Sequence, residues 1–135
     1  MEDNNSVTFE GIHCTLTIER PSENIINVRI SGHDAGEFGD VPLQELSKYL
    51  EKDKVIELFI DARNVRGASI EVSGLWAHWL SANKMHFSRI NMLTGSRFIQ
   101  LTADFVRKYA NLGDTMRLYS EPAAFDSSLS ESLNS

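Results

Sequence analysis

Residues 55–61 read Val-Ile-Glu-Leu-Phe-Ile-Asp, with five apolar side chains in seven positions. Apolar density of this kind belongs to a central strand covered on both faces. Residues Ala62 to Ala68 follow as a connection, and a helix is expected from about Ser69 to Asn83. Its apolar set, Val72, Leu75, Trp76, Trp79 and Leu80, recurs at helical spacing. A buried strand feeding a helix of crossover length is the unit of a parallel α/β sheet.

The same alternation extends in both directions. Upstream, residues 12–19 set Ile12, Cys14, Leu16 and Ile18 against His13, Thr15, Thr17 and Glu19, a period of two. Pro21-Ser22-Glu23-Asn24 is a turn, and residues 25–31 form a second strand carrying Ile26, Val28 and Ile30 on one face. The two should pair as an antiparallel hairpin. A glycine-rich loop over residues 32–40 leads to a helix of about 41–52, with Asp40 as its cap and Leu43, Leu46 and Leu50 facing inward. Downstream, a strand is expected at 88–93. Ser96 caps a helix of about 97–111 with Phe98, Leu101, Phe105 and Tyr109 as its inward stripe. A last strand is expected at 115–119, and a short helix at 121–130 opens on Pro122. The order is β-β-α-β-α-β-α-β-α. It predicts an α/β domain with a five-stranded mixed, mostly parallel sheet and about four helices, its connections right-handed.

Composition bounds the rest. At 135 residues and 15.2 kDa the chain is one ordinary domain, large enough to hold a core without disulfides or metal. The folded part is expected over residues 7–130, with polar disordered ends at 1–6 and 131–135. Cys14 is the single cysteine, so no internal disulfide is possible. The acidic start, Met1-Glu2-Asp3, lacks a signal peptide's basic region, and no apolar run reaches transmembrane length, which leads to an expected cytoplasmic location. The net charge of −6 argues against nucleic acid as partner. That charge is unevenly spread. Residues 1–60 hold 12 acids and 5 bases, whereas residues 62–120 hold 8 bases and only Glu71, Asp104 and Asp114 as acids.

The order of elements, with Leu58-Phe59-Ile60-Asp61-Ala62-Arg63-Asn64-Val65 as central strand, Ser73-Gly74-Leu75 in the next helix and Gly32 after the second strand, resembles the STAS domain (sulfate transporter and anti-sigma-factor antagonist). The stretch Ile90-Asn91-Met92-Leu93-Thr94-Gly95-Ser96-Arg97 and the later Pro122-Ala123-Ala124-Phe125 are similar in spacing and type to a bacterial STAS-like group without assigned chemistry. The resemblance spans roughly residues 12–130. It implies a non-catalytic regulatory or protein-interaction domain, possessing no cofactor, whose partner is another protein (a regulator or kinase) or a second copy in a homodimer. It also implies a phosphorylatable serine at the start of the helix after the central strand. The family's Asp-Ser-Ser-Gly string reads Glu71-Val72-Ser73-Gly74 in this chain. Ser73 therefore carries the remnant of the motif one turn inside the helix, while Ser69 occupies the cap.

Ligands of parallel sheets gather beyond the carboxyl ends of the strands. Arg63 and Arg66 lie after the third expected strand. Thr94, Gly95, Ser96 and Arg97 lie after the fourth, where a helix opens and offers free N–H groups to an anion. The six are candidates for an anion- or partner-binding edge, against the ordinary reading of a helix cap and solvated arginines. Trp76 and Trp79 would ordinarily be core. The alternative is an apolar pocket between their helix and the sheet, holding an anionic or lipid-like molecule. In the glycine-rich loop, His33, Asp34, Glu37 and Asp40 match no metal-ligand spacing, and no P-loop ending is present. No nucleophile elbow or carboxylate pair points to catalysis.

Overall fold

The structure, a computed structural model, describes residues 6–135. Its sheet has six strands rather than five: β1 (Ser6–Glu10), β2 (Cys14–Ser22), β3 (Ile25–Asp34), β4 (Ile56–Ala68), β5 (Phe87–Thr94) and β6 (Met116–Tyr119). The helices are α1 (Val41–Ser47), α2 (Ile70–Asn83), α3 (Arg97–Tyr109) and α4 (Pro122–Leu133). The strands lie side by side in chain order. β1, β2 and β3 pair antiparallel, and β3 through β6 pair parallel. The expected hairpin is the β2–β3 pair. The extra strand, β1, is short, and a five-residue run carries too little alternation to stand out in the sequence. Its register sets Phe9 beside Leu16, on the helix-covered face, where Phe9 meets Phe38 at 6.0 Å. Ser6 belongs to β1, α4 runs past residue 130 to Leu133, and residues 1–5 lie outside the described residues.

β4 extends to Ala68, through what the sequence suggests is a connection. Two irregularities make this possible. The step from Arg29 to Ser31 on β3 faces Asp61 to Asn64 on β4, and the step from Gly32 to His33 faces Val65 to Gly67. Each leaves one extra residue in β4. Such bulges bend a strand and re-aim its side chains. α1 is shorter than expected because its bonding changes after Ser47: Tyr49 N–H donates to Leu46 and Leu50 N–H to Ser47, three residues back, tightening the chain into turns.

The main core lies between the sheet and α1, α2 and α3. It holds Leu16 and Ile18 of β2, Ile26 and Val28 of β3, Ile56, Leu58 and Ile60 of β4, and Ile90 of β5. Against them pack Leu43 and Leu46 of α1, Ala77, Trp79 and Leu80 of α2, and Val106 and Ala110 of α3. The opposite sheet face receives only α4, whose Phe125 stands edge-on to Phe59 and Tyr119, each at 5.7 Å. Polar side chains of β2, β3 and β4 fill the uncovered part, among them Thr17, Arg29 and Asp61.

Two glycines test the packing in opposite directions. A Cβ at Gly95 would stand 2.1 Å from the Arg63 carbonyl oxygen, so the β5–α3 turn presses against the β4 backbone. A Cβ at Gly74, on α2, meets nothing within 4 Å. Gly95→Ala is expected to destabilise by about 2 kcal/mol or more. Gly74→Ala is expected to stabilise by about 1 kcal/mol, the helix-propensity difference. Urea denaturation of both variants checks the pair.

Candidate functional site

The helix starts form as expected. Ser69 accepts the Val72 N–H at 3.1 Å and Ser96 the Ile99 N–H at 3.2 Å, each satisfying one orphan donor of a first turn. Both serines of the phosphorylation reading are engaged: Ser73 Oγ donates to the Ser69 carbonyl at 3.2 Å, and both residues are half-buried.

The arginines do not converge. Arg63 is held by two carboxylates, with Nε donating to Asp61 at 3.0 Å and a terminal nitrogen to Asp126 of α4 at 2.6 Å. Its hydrogen bonds to Asp61, then to Asp126, hold its pKa above the ordinary guanidinium value. It ties α4 to β4. Arg66 is exposed and shares a shallow depression with Arg63, His13 and His33. Arg97 is also exposed and lies in a separate depression beside Asp104 and Arg107. Thr94 is buried, donating to the Tyr119 carbonyl at 3.4 Å, and Gly95 is packed on Arg63. Ser96 is the cap. Of the six anion candidates, Arg66 and Arg97 retain exposed charge with no ion-pair partner among the described residues, in different places.

The two tryptophans separate. Trp79 is buried, donates its indole N–H to Ser47 Oγ at 2.9 Å and packs on Phe87 at 5.7 Å. Trp76 is half-buried and lines a cavity of about 80 Å³ between α2, α3 and the sheet. Ile30 and Met92, on the helix-covered sheet face, remain half-buried because this cavity leaves them uncovered. Its remaining walls include Val72, Ile99, Ala103 and Val106. The lining residues with polar side-chain groups are Asp34, Ser73, Thr102 and Trp76. For Asp34 the sequence does carry a signal: the alternation of Ile26, Val28 and Ile30 continues through Gly32 to residue 34.

The largest departure is on α3. Its buried residues are Ile99, Ala103 and Val106, followed by Ala110. The stripe expected inside, Phe98, Leu101, Phe105 and Tyr109, is between 56% and 64% exposed. Two apolar stripes share this helix, and the smaller one faces the sheet. Ala103 and Ala110 let the helix backbone sit close to β5 and β6, where the bulkier stripe would hold it away. On α2, Leu75 is likewise exposed, as is Ile70.

Among the described residues no group of three or more metal-ligating side chains stands together, and no helix is long and apolar enough to cross a membrane. No family model and no curated protein matches the chain. Solved structures do match it. One is an uncharacterised protein of the DUF3478 family from Shewanella loihica PV-4, described as having a SpoIIAA-like fold: TM-score 0.60 and 14% identity over 90% of this chain and 98% of that one. Another is the anti-sigma factor antagonist SpoIIAA in its unphosphorylated form: TM-score 0.55 and 16% identity over 85% of this chain and 96% of that one. The chain therefore has the SpoIIAA-like, STAS-type fold that its element order resembles.

Cys14 gives this end of the molecule a titration signature. Burial, then the Asp34 and Glu37 carboxylates, push its thiol up to about 11 from 9.0. Tyr49 is raised as well, chiefly by burial. A raised value means the fold holds the proton more tightly than the unfolded chain. The stabilisation is complete below pH 9 and is lost as pH climbs through 11. Cys14 should resist thiol reagents at about pH 8 in the native protein and react freely in urea, as a timed alkylation would register.

Proposed function

We propose that the chain is a non-catalytic protein-interaction domain and that its working surface is the outward stripe of α3. The carrying observation is the exposure of Phe98, Leu101, Phe105 and Tyr109 along one 13-residue helix. Contiguous apolar surface of this kind on a folded domain marks a binding site more often than accident. The helix also carries Arg97, Arg107 and Lys108 against Asp104 alone. The matching partner is a protein with an apolar groove or helix and an acidic rim. A regulatory partner is the natural choice, since one structure of this fold is an anti-sigma factor antagonist. A phosphate on Ser69 would exchange the cap for a charged group at the α2 N-terminus, which is how such a partnership would be switched.

A second reading has its own observation. The cavity beside Trp76 is apolar, set between α2, α3 and the sheet, where a small ligand would be held.

The double variant Phe98→Ser with Phe105→Ser separates stripe from core. It should unfold within about 0.5 kcal/mol of wild type for each exposed site, and bind at least about tenfold more weakly to an acidic-rimmed partner, identified by crosslinking at position 101. A loss of about 3 kcal/mol would make the stripe core and overturn the proposal. Light scattering that shows a wild-type dimer dissolved by the variant would make the occupant a second copy.

A further inference from the structure

The cavity beside Trp76 has an uneven polar inventory. Ser73 spends its hydroxyl proton on the Ser69 carbonyl at 3.2 Å, and Thr102 spends its own on the Phe98 carbonyl at 3.1 Å. Each oxygen is left with accepting capacity only. Asp34, 7% exposed, is the single ionisable residue of the lining. Its Oδ1 accepts the Gly36 N–H at 3.0 Å, and its Oδ2 has no hydrogen-bond partner among the described residues. The indole N–H of half-buried Trp76 has no protein acceptor among them either, and it stays within reach of water. The polar groups inside thus ask for a donor, and the charge there is negative.

We infer that this site takes a small apolar molecule bearing a hydrogen-bond donor, a primary amine or alcohol with a short alkyl body, its head on Asp34. This rests on the second reading above, that the cavity holds a ligand at all. It reverses the anionic head group expected from the sequence: a carboxylate or phosphate head would meet Asp34 as a like charge and find no donor to receive it. Size limits the body. At about 80 Å³ the space is roughly half of the ~150 Å³ that admits a benzene ring, which suits a few carbons of alkyl chain entered end-on.

The test uses hexylamine, hexan-1-ol and hexanoate against the full chain, read by methyl NMR at Ile30, Met92 and Ile99. The expected order is amine, then alcohol, with hexanoate at least about tenfold weaker than the amine, the scale of a charge-assisted hydrogen bond. Asp34→Asn keeps the shape, removes the charge and adds a donor. It should weaken the amine about tenfold, leave the alcohol within about threefold and strengthen hexanoate, inverting the order. Ala103→Leu, which fills the space, should abolish all three. Equal binding of the three probes, or an order unchanged by Asp34→Asn, overturns the inference while leaving a ligand cavity standing. No methyl shift with any probe at millimolar concentration overturns the inference together with the cavity reading.

Discussion

Four parallel strands, β3 to β6, stand next to one another in chain order, and every feature of the candidate site follows from that. Each crossover moves one strand along in the same direction. With a common right-handed sense, all three crossover helices must land on one face. α1, α2 and α3 accordingly share the main core, and the other face is left to α4 alone. α2 and α3 lie side by side over β4 to β6. The gap between them, floored by Ile60 and Met92 and walled by Val72 and Ala103, is the cavity.

The helix rows of a parallel sheet also explain why α3 turns its larger side chains outward. A crossover helix is fixed at both ends. Gly95, wedged against the Arg63 carbonyl, and the Ser96 cap set where α3 begins, and Ala110 and Leu112 bury where it ends. Between these anchors the helix lies on Ile99, Ala103 and Val106, which allow a close approach. The aromatic stripe is carried round to the outside, with Thr102 half-buried between the two stripes at the cavity. A bulky apolar surface left in water beside a cavity fits a domain that works by binding.

Element order, helix caps and the parallel core were legible in the residues because each rests on local chemistry. Ser69 and Ser96 bond N–H groups three residues on, and the apolar run of 55–61 needs two covered faces. Three things were not legible. β1 is an edge strand too short for its period to register. The two bulges that carry β4 to Ala68 depend on pairing with β3. The choice between stripes on α3 is made by how close the helix must come to the sheet, so side-chain size and spacing alone favour the wrong face. The anion edge dissolved for a related reason. Arg63 meets Asp126 across 63 residues, a partner that spacing alone does not offer.

The most direct measurement is thiol accessibility along α3. Cysteine would be introduced singly at positions 98, 101 and 105 and, in parallel, at 99, 103 and 106, with buried Cys14 as internal reference. Labelling at the rate of an unfolded thiol is expected for 98, 101 and 105, and protection comparable to Cys14 for 99, 103 and 106. The reverse pattern, with the aromatic positions protected and the small ones open, would contradict the outward stripe and the binding surface built on it.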